Sequence, residues 1–235
     1  MRKTQLSQNM ALLAAGAALA ALPALANAQA GHPNFTGVWT VTPYSGALKP
    51  ADGKPIPFKP EMKAAYDKHV AAAKAGDRSW DPAKECLPEG LPRIMTINEP
   101  FEIMQRDKAV YFVSQNRVPW KAFFGEQLPT DPDPFYMGYS VAKWEGKALV
   151  LDSAGFRDLT MLDDKGIPHT DQLHLTTSFK LGADGKTMTA TYTIDDPGAF
   201  TRPWTAKASF VKKPASFQVP EEVCAEKLVS TAPKR

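Results

Sequence analysis

The chain has 235 residues, 43% of them hydrophobic and 23% charged, with a formal net charge of +3 at pH 7. That length and balance fit an ordinary globular protein of one domain, with or without an N-terminal extension. The near-neutral, mixed surface offers no electrostatic footprint for nucleic acid or for a membrane surface.

Residues 1–30 read as a secretory signal peptide. Arg2 and Lys3 precede an Ala/Leu-rich run from Met10 to Leu25, and two A-x-A cut sites end at Ala28 and Ala30. The run is mostly alanine and shorter than the roughly 20 apolar residues of a stable membrane span. No cysteine follows the cut sites, so no stable membrane anchor is expected. The mature protein is predicted to be periplasmic or secreted, with the formal charge reduced from +3 to +1 by loss of Arg2 and Lys3.

Residues 31–92 form an N-terminal segment. FTGVWTVT suggests a short strand, a Pro-rich connection follows, and Pro60 opens an amphipathic helix. In it Met62, Ala65, Tyr66, Val70 and Ala73 recur at helical spacing until Gly76. His69 reads as a helix-surface histidine in preference to a ligand. The two cysteines, Cys86 and Cys224, meet an oxidising compartment and are expected to pair. With 138 positions between them, closure contributes roughly 4 to 5 kcal/mol in the chain-entropy model, less any native strain.

From Arg93 to the end, residues 93–235, the pattern turns to strands: RIMTIN, FEIMQR, AVYFVSQ, GYSVAKW, KALVLDS, LHLTTSFKL, KTMTATYTID and WTAKASFV. RDK, WEGK and LGADGK mark three hairpin turns. No helical pattern interrupts the strands, so the sheet is expected to be antiparallel and closed into a barrel or packed as a sandwich. In the last three strands apolar residues alternate with Thr, Ser and Lys, giving one apolar face. Ala190, Ala206 and Ala208 on that face leave room either for a ligand or for a closely packed element.

GIPHTDQLHL places His169, Asp171 and His174 within six positions. Extending the strand register back from Leu173 puts His169 and Asp171 on the apolar side and His174 on the polar side. A metal site from these three would need a bend at Pro168, and no H-E-x-x-H or paired C-x-x-C completes it. No metal is therefore expected. A carboxylate two positions from a histidine can fix its tautomer and raise its basicity, as a general base requires. The alternative is a structural pair that closes a loop at the sheet rim. Arg157 and Arg202, in flanking loops, are candidates to hold developing negative charge. Trp120, Phe123, Phe124, Phe135, Tyr136, Tyr139 and Trp144 form a dense aromatic stretch suited to a flat hydrophobic ligand or to a core. With no G-x-S-x-G elbow, phosphate-cradling loop or dinucleotide fingerprint, no cofactor is expected.

The succession PNFTGVW, CLPEGLPRIM, FEIMQ, DPDPFYMGYSVAKWEGKALVLDSAGF, GIPHTDQLHL, TIDDPGAFTRPW and EEVCAE resembles a family of secreted, mostly uncharacterised β proteins of proteobacteria and acidobacteria. The resemblance implies a signal peptide, a one-domain β fold and paired cysteines. It marks Trp144, Gly146, His169, Asp171, Asp196, Pro197 and Trp204 as family positions. It also implies a departure: polar and histidine positions of the family are occupied here by Trp120, Phe123, Phe124 and Tyr139, so a pocket in that region would be more aromatic. Gly37-Val38-Trp39 is similar to the start of lipocalin-like barrels, which favours a barrel over a sandwich.

These readings give an all-β, mainly antiparallel, lipocalin-like barrel with one N-terminal amphipathic helix and a short C-terminal helix. The first functional expectation is a cofactor-free lyase or isomerase acting on a small hydrophobic, aromatic compound. In it His169 is the base, Asp171 its orienting partner, Arg157 or Arg202 the anion holder, and Tyr139 or Tyr192 the acid. Trp120, Phe124, Tyr136, Trp144, Tyr192 and Trp204 would bind the ligand. The second is a non-catalytic periplasmic carrier of a similar molecule, and the third an envelope protein without a small ligand. A barrel lumen filled by side chains would leave the ligand no room there. Oligomeric state has no signature in the sequence.

Overall fold

The computed structural model describes residues 31–115, 119–220 and Cys224. The expected signal peptide and C-terminal helix fall outside these residues. In chain order the elements are β1 (Gly37–Val41), α1 (Pro60–Lys74), a 3-10 turn (Pro82–Glu85), α2 (Arg93–Thr96), β2 (Phe101–Gln105), β3 (Ala109–Ser114), β4 (Trp120–Phe124), β5 (Tyr139–Glu145), β6 (Ala148–Ala154), β7 (His174–Leu181), β8 (Thr187–Asp195) and β9 (Trp204–Lys212). The nine strands close into one barrel in chain order, with β1 paired to both β2 and β9. This is the all-β, lipocalin-like barrel expected, where alternation left barrel and sandwich open and the Gly37-Val38-Trp39 resemblance favoured the barrel; β1 of the N-terminal segment is one of its walls. The three expected hairpins join β2 to β3, β5 to β6 and β7 to β8.

Alternation places every second side chain inside the barrel. Trp39, Phe101, Phe112, Trp120, Phe179 and Phe210 are all buried there. Phe112 stacks on Trp120 at 4.2 Å and on Phe179 at 5.6 Å, and Phe101 meets Phe210 edge-on at 5.5 Å. The gap beside Phe101, Phe112, Ser114 and Trp120 is about 10 Å³, room for no more than one water. This layer of the lumen is a packed core. Ala190 and Ala206 are fully buried and serve close packing, whereas Ala208 is half-buried and lines a cavity of about 290 Å³ beside Val41 and Leu48.

Two sequence expectations are corrected. RIMTIN is not a strand: Arg93–Thr96 forms the single helical turn α2, in which Arg93, Ile94 and Met95 are all buried. The turn is closed by Ile97 N–H donating to the Arg93 carbonyl at 3.1 Å, and it directs the three buried side chains to different neighbours. The second concerns β4, hidden in RVPWKAFFGEQLPTDPDP. It pairs with β5 in parallel, through Phe123–Val141 and Phe124–Ala142 alone. The connection from Gly125 to Gly138 carries the chain back to the end from which β4 started, as a parallel neighbour requires.

The N-terminal arm and α1 lie against one end of the barrel. Phe58 stacks on Tyr66 of α1 at 5.2 Å and packs on Phe200 at 5.5 Å, and Phe200 meets Trp204 of β9 at 5.5 Å. Pro60 takes the first helical position, and Gly76, at φ +82°, ends the run where it was expected to. The Cys86–Cys224 disulfide is formed, with Cα atoms 5.8 Å apart.

Buried Arg93 ties these parts together. Its two terminal nitrogens donate to both carboxylate oxygens of Asp81 at 2.7 and 2.8 Å, and Nε donates to Asp164 at 2.9 Å. Arg78 donates to Asp81 at 2.6 Å, and the Tyr44 hydroxyl donates to Asp164 at 2.8 Å. Burial alone would raise the Asp81 carboxyl. The hydrogen bonds and charge of Arg93, with Arg78, outweigh burial and bring Asp81 down to about 2.

Arg93→Ala leaves Asp81 buried without its bidentate partner and is expected to cost about 3–5 kcal/mol of stability. Tyr192 lies in the core with a hydroxyl that has no partner among the described residues. Tyr192→Phe is therefore expected to stabilise the fold by about 1 kcal/mol. Equilibrium denaturation of the two variants checks both signs.

Candidate functional site

The aromatic stretch and the His/Asp motif occupy different places. A cleft of about 480 Å³ lies at the β4–β5 seam, lined by Pro88, Pro119, Trp120, Lys121, Phe123 and the run from Phe135 to Ser140. The parallel ladder holds only the C-terminal end of β4 to β5. Toward Trp120 and Tyr139 the strands have no ladder between them, and the indole bridges the gap by donating to Ser140 Oγ at 2.6 Å. Ser140 is itself bonded to Ser153 at 2.7 Å.

On β4, Trp120 and Ala122 point into the barrel, so Lys121 and Phe123 point out. Tyr139, on the other bank, is outward by the same alternation, since its neighbour Ser140 is buried. Phe135 meets Tyr139 edge-on at 5.1 Å. The Phe135–Gly138 turn closes through Gly138 N–H donating to the Phe135 carbonyl at 3.2 Å. Gly138 has φ +60°, and a Cβ there would lie 2.8 Å from the Ala154 carbonyl oxygen, so only glycine fits this turn. Phe123 and Phe135 are 36% and 51% exposed, large apolar surface at positions where a strand or loop normally presents polar groups.

Of the expected ligand-binding residues, Trp120 and Tyr136 line this cleft, as does Tyr139, expected as an acid. Phe124, Trp144, Tyr192 and Trp204 do not. Phe124 stacks toward Trp144 at 6.0 Å, and His32 stacks on Trp144 at 4.3 Å. Tyr192 and Trp204 are buried in the core. Alternation explains the sorting, because inward positions of these strands are consumed by the filled lumen. Lys121, Met137, Pro88 and Pro119 were not singled out from sequence. Lys121 and Phe123 were legible as the outward partners of Trp120 and Ala122 once WKAFF was read as a strand.

The proposed His169–Asp171 pair is corrected. β7 begins at His174, and residues 170–173 form a turn closed by Leu173 N–H donating to the Thr170 carbonyl. Back-extension of the strand register therefore fails. His169 is buried and Asp171 is exposed. His169 Nδ1 lies 2.9 Å from the Thr170 carbonyl, which can only accept, so Nδ1 carries the hydrogen. Nε2 then accepts from the Thr160 hydroxyl at 2.7 Å. Burial holds the imidazole below its ordinary pKa. This is a neutral histidine with both nitrogens engaged. The carboxylate that orders the loop is Asp196, which accepts from Thr170 N and Oγ1 at 2.6 Å each and from the backbone of Gly198 and Ala199.

His174 lies on the wet face as expected, 2.8 Å from Asp152. The two arginines do not meet His169's ring nitrogens. Arg157 is exposed, donates to the Pro134 carbonyl and sits 5.2 Å over the Tyr136 ring at the side of the cleft. Arg202 is exposed and reaches Asp52 at 3.5 Å. Among the described residues no three His, Cys, Asp or Glu side chains cluster as metal ligands. No model of a known protein family, no curated protein and no solved structure matches the chain.

The loop that carries His169 holds a second buried ionisable group with the opposite pH response. Burial pushes the Asp163 carboxyl up to about 6, although Leu48, Lys165 and Ile167 N–H groups donate to it. Its folded value exceeds the unfolded one of about 3.9, so its contribution to stability falls as pH rises from about 4 to 6. His169 has a depressed folded value, so its contribution is present above about 6.5 and is lost as pH falls. Unfolding free energies across this range should show Asp163→Asn removing the first slope and His169→Gln the second. His169→Gln should also cost about 1–3 kcal/mol, because Thr160 loses its acceptor geometry.

Proposed function

We propose that this is an exported protein that binds a small apolar, aromatic molecule in the cleft at the β4–β5 seam. One observation carries the reading: aromatic side chains are exposed around a concave site outside a barrel whose layer of Phe101, Phe112 and Trp120 is packed. A concave, mostly apolar site with a few convergent polar groups is the common form of a small-molecule site. Here the lining residues with such groups are Lys121, Tyr136 and Tyr139. The signal-peptide pattern and the disulfide support export.

Carriage without chemistry is favoured over a lyase or isomerase by where the ionisable groups lie. The histidine expected as base is buried with both nitrogens bonded, and its expected carboxylate partner is in solvent. Of the residues expected to catalyse, Tyr139 alone lines the cleft.

Calorimetric titration with 2-naphthalenemethanol, a neutral aromatic probe, tests the proposal. Saturable one-site binding is expected, weakened about tenfold by Phe123→Ser or Tyr139→Ser as stacking and apolar burial are lost. His169→Gln should bind as wild type does. Binding that ignores the cleft substitutions overturns the assignment, and accumulation of a transformed product from an aromatic substrate overturns the carrier reading in favour of catalysis.

A further inference from the structure

Resting on the cleft as the ligand site, we infer that its preferred ligand is an aromatic carboxylate, the ring held by Phe123, Phe135 and Tyr139 and the carboxylate by Lys121. Among the residues lining the cleft Lys121 is the one charged side chain, the rest being aromatic, apolar or neutral polar groups. Its ammonium sits 5.3 Å over the Phe123 ring, which holds the charge at the cleft wall. It pairs with no carboxylate among the described residues. Among the described residues Lys143 on β5 pairs with Glu145 at 2.8 Å and Lys63 on α1 with Asp67 at 2.6 Å, while most other lysines have no carboxylate partner, so it is the place of Lys121 in the cleft wall that singles it out.

A second cation stands beside the same wall. Arg157 lies over Tyr136, with Nε committed to the Pro134 carbonyl. The acidic residues of the β4–β5 connection, Glu126, Asp131 and Asp133, do not line the cleft. An apolar aromatic surface with an unpaired ammonium at its edge is complementary to a molecule with a flat ring and one negative charge. A neutral aromatic would leave the ammonium unused, and a cationic one would be repelled by it. Lys121 in this arrangement sets specificity, while the rings supply the affinity shared by neutral and anionic ligands.

The test compares 2-naphthoate with 2-naphthalenemethanol by calorimetry on the full, disulfide-intact protein, at low and at high salt. Wild type is expected to bind the acid about fivefold tighter than the alcohol at low salt, a size set by an exposed ion pair. High salt should weaken the acid only. Lys121→Gln should remove the difference between the two by weakening the acid, and Lys121→Arg should keep the preference. Equal binding of both by wild type, or a preference that survives Lys121→Gln, overturns the anion inference and leaves the cleft standing. Failure of both compounds to bind wild type overturns the cleft as a ligand site and this inference with it.

Discussion

Nine strands cannot alternate direction all the way round a closed barrel. An odd count forces at least one pair of neighbours to run the same way, and here β4 and β5 meet that requirement. The other junctions are antiparallel ladders, reaching eight residue pairs between β7 and β8 and between β8 and β9. The parallel junction has two pairs. Closure therefore concentrates its weakest backbone pairing in one place. The side chains compensate there: the Trp120 indole and the Ser140 and Ser153 hydroxyls form a chain of bonds across the gap. The cleft is the outer surface of that compensated seam.

The opposite kind of constraint acts on the polar interior. A buried guanidinium is stable only when its charge and donors are matched, since an unpaired buried charge is expensive. Arg93 meets this with carboxylates from two distant segments, Asp81 before α2 and Asp164 in the β6–β7 loop. Asp163, next in sequence, takes the Leu48 amide of the N-terminal arm. Adjacent aspartates thus fasten the arm and α2 to one loop. His169 belongs to the same polar layer: the Thr160–His169–Thr170 bonds and the Asp196 bonds shape the loop that leads into β7. Its burial and engagement are what a fold-fastening group needs and what a base facing a substrate lacks.

The strands with uninterrupted alternation, β7 to β9, were legible because one period governs them from end to end, and their hairpins are marked by turn residues. The disulfide was legible because two cysteines, in a chain expected to be exported, have one pairing. Two features were not. α2 begins with arginine and has an apolar pair, so its pattern is compatible with a strand until the carboxylates that bury Arg93 are known, and these lie in other segments. β4 is short and flanked by prolines, and its identity rests on partners β3 and β5 that sequence neighbours do not reveal. Missing β4 hid the parity argument and with it the location of the site. The His169–Asp171 spacing misled for a similar reason: period two is informative only inside a strand, and the Thr170–Leu173 turn ends that strand at His174.

The aromatic stretch was legible in composition but not in its division of labour. Of adjacent Phe123 and Phe124, one faces the cleft and the other the lumen, where it stacks toward Trp144. A strand in contact with both compartments must carry apolar side chains on both faces, which erases the alternation that identifies half-buried strands. The same loss of pattern that made β4 hard to find follows from its contact with both the lumen and the cleft. A short strand between turn residues, apolar on both faces and carrying one outward lysine, is thus the sequence pattern of the external cleft at the parallel seam of this barrel of odd strand number.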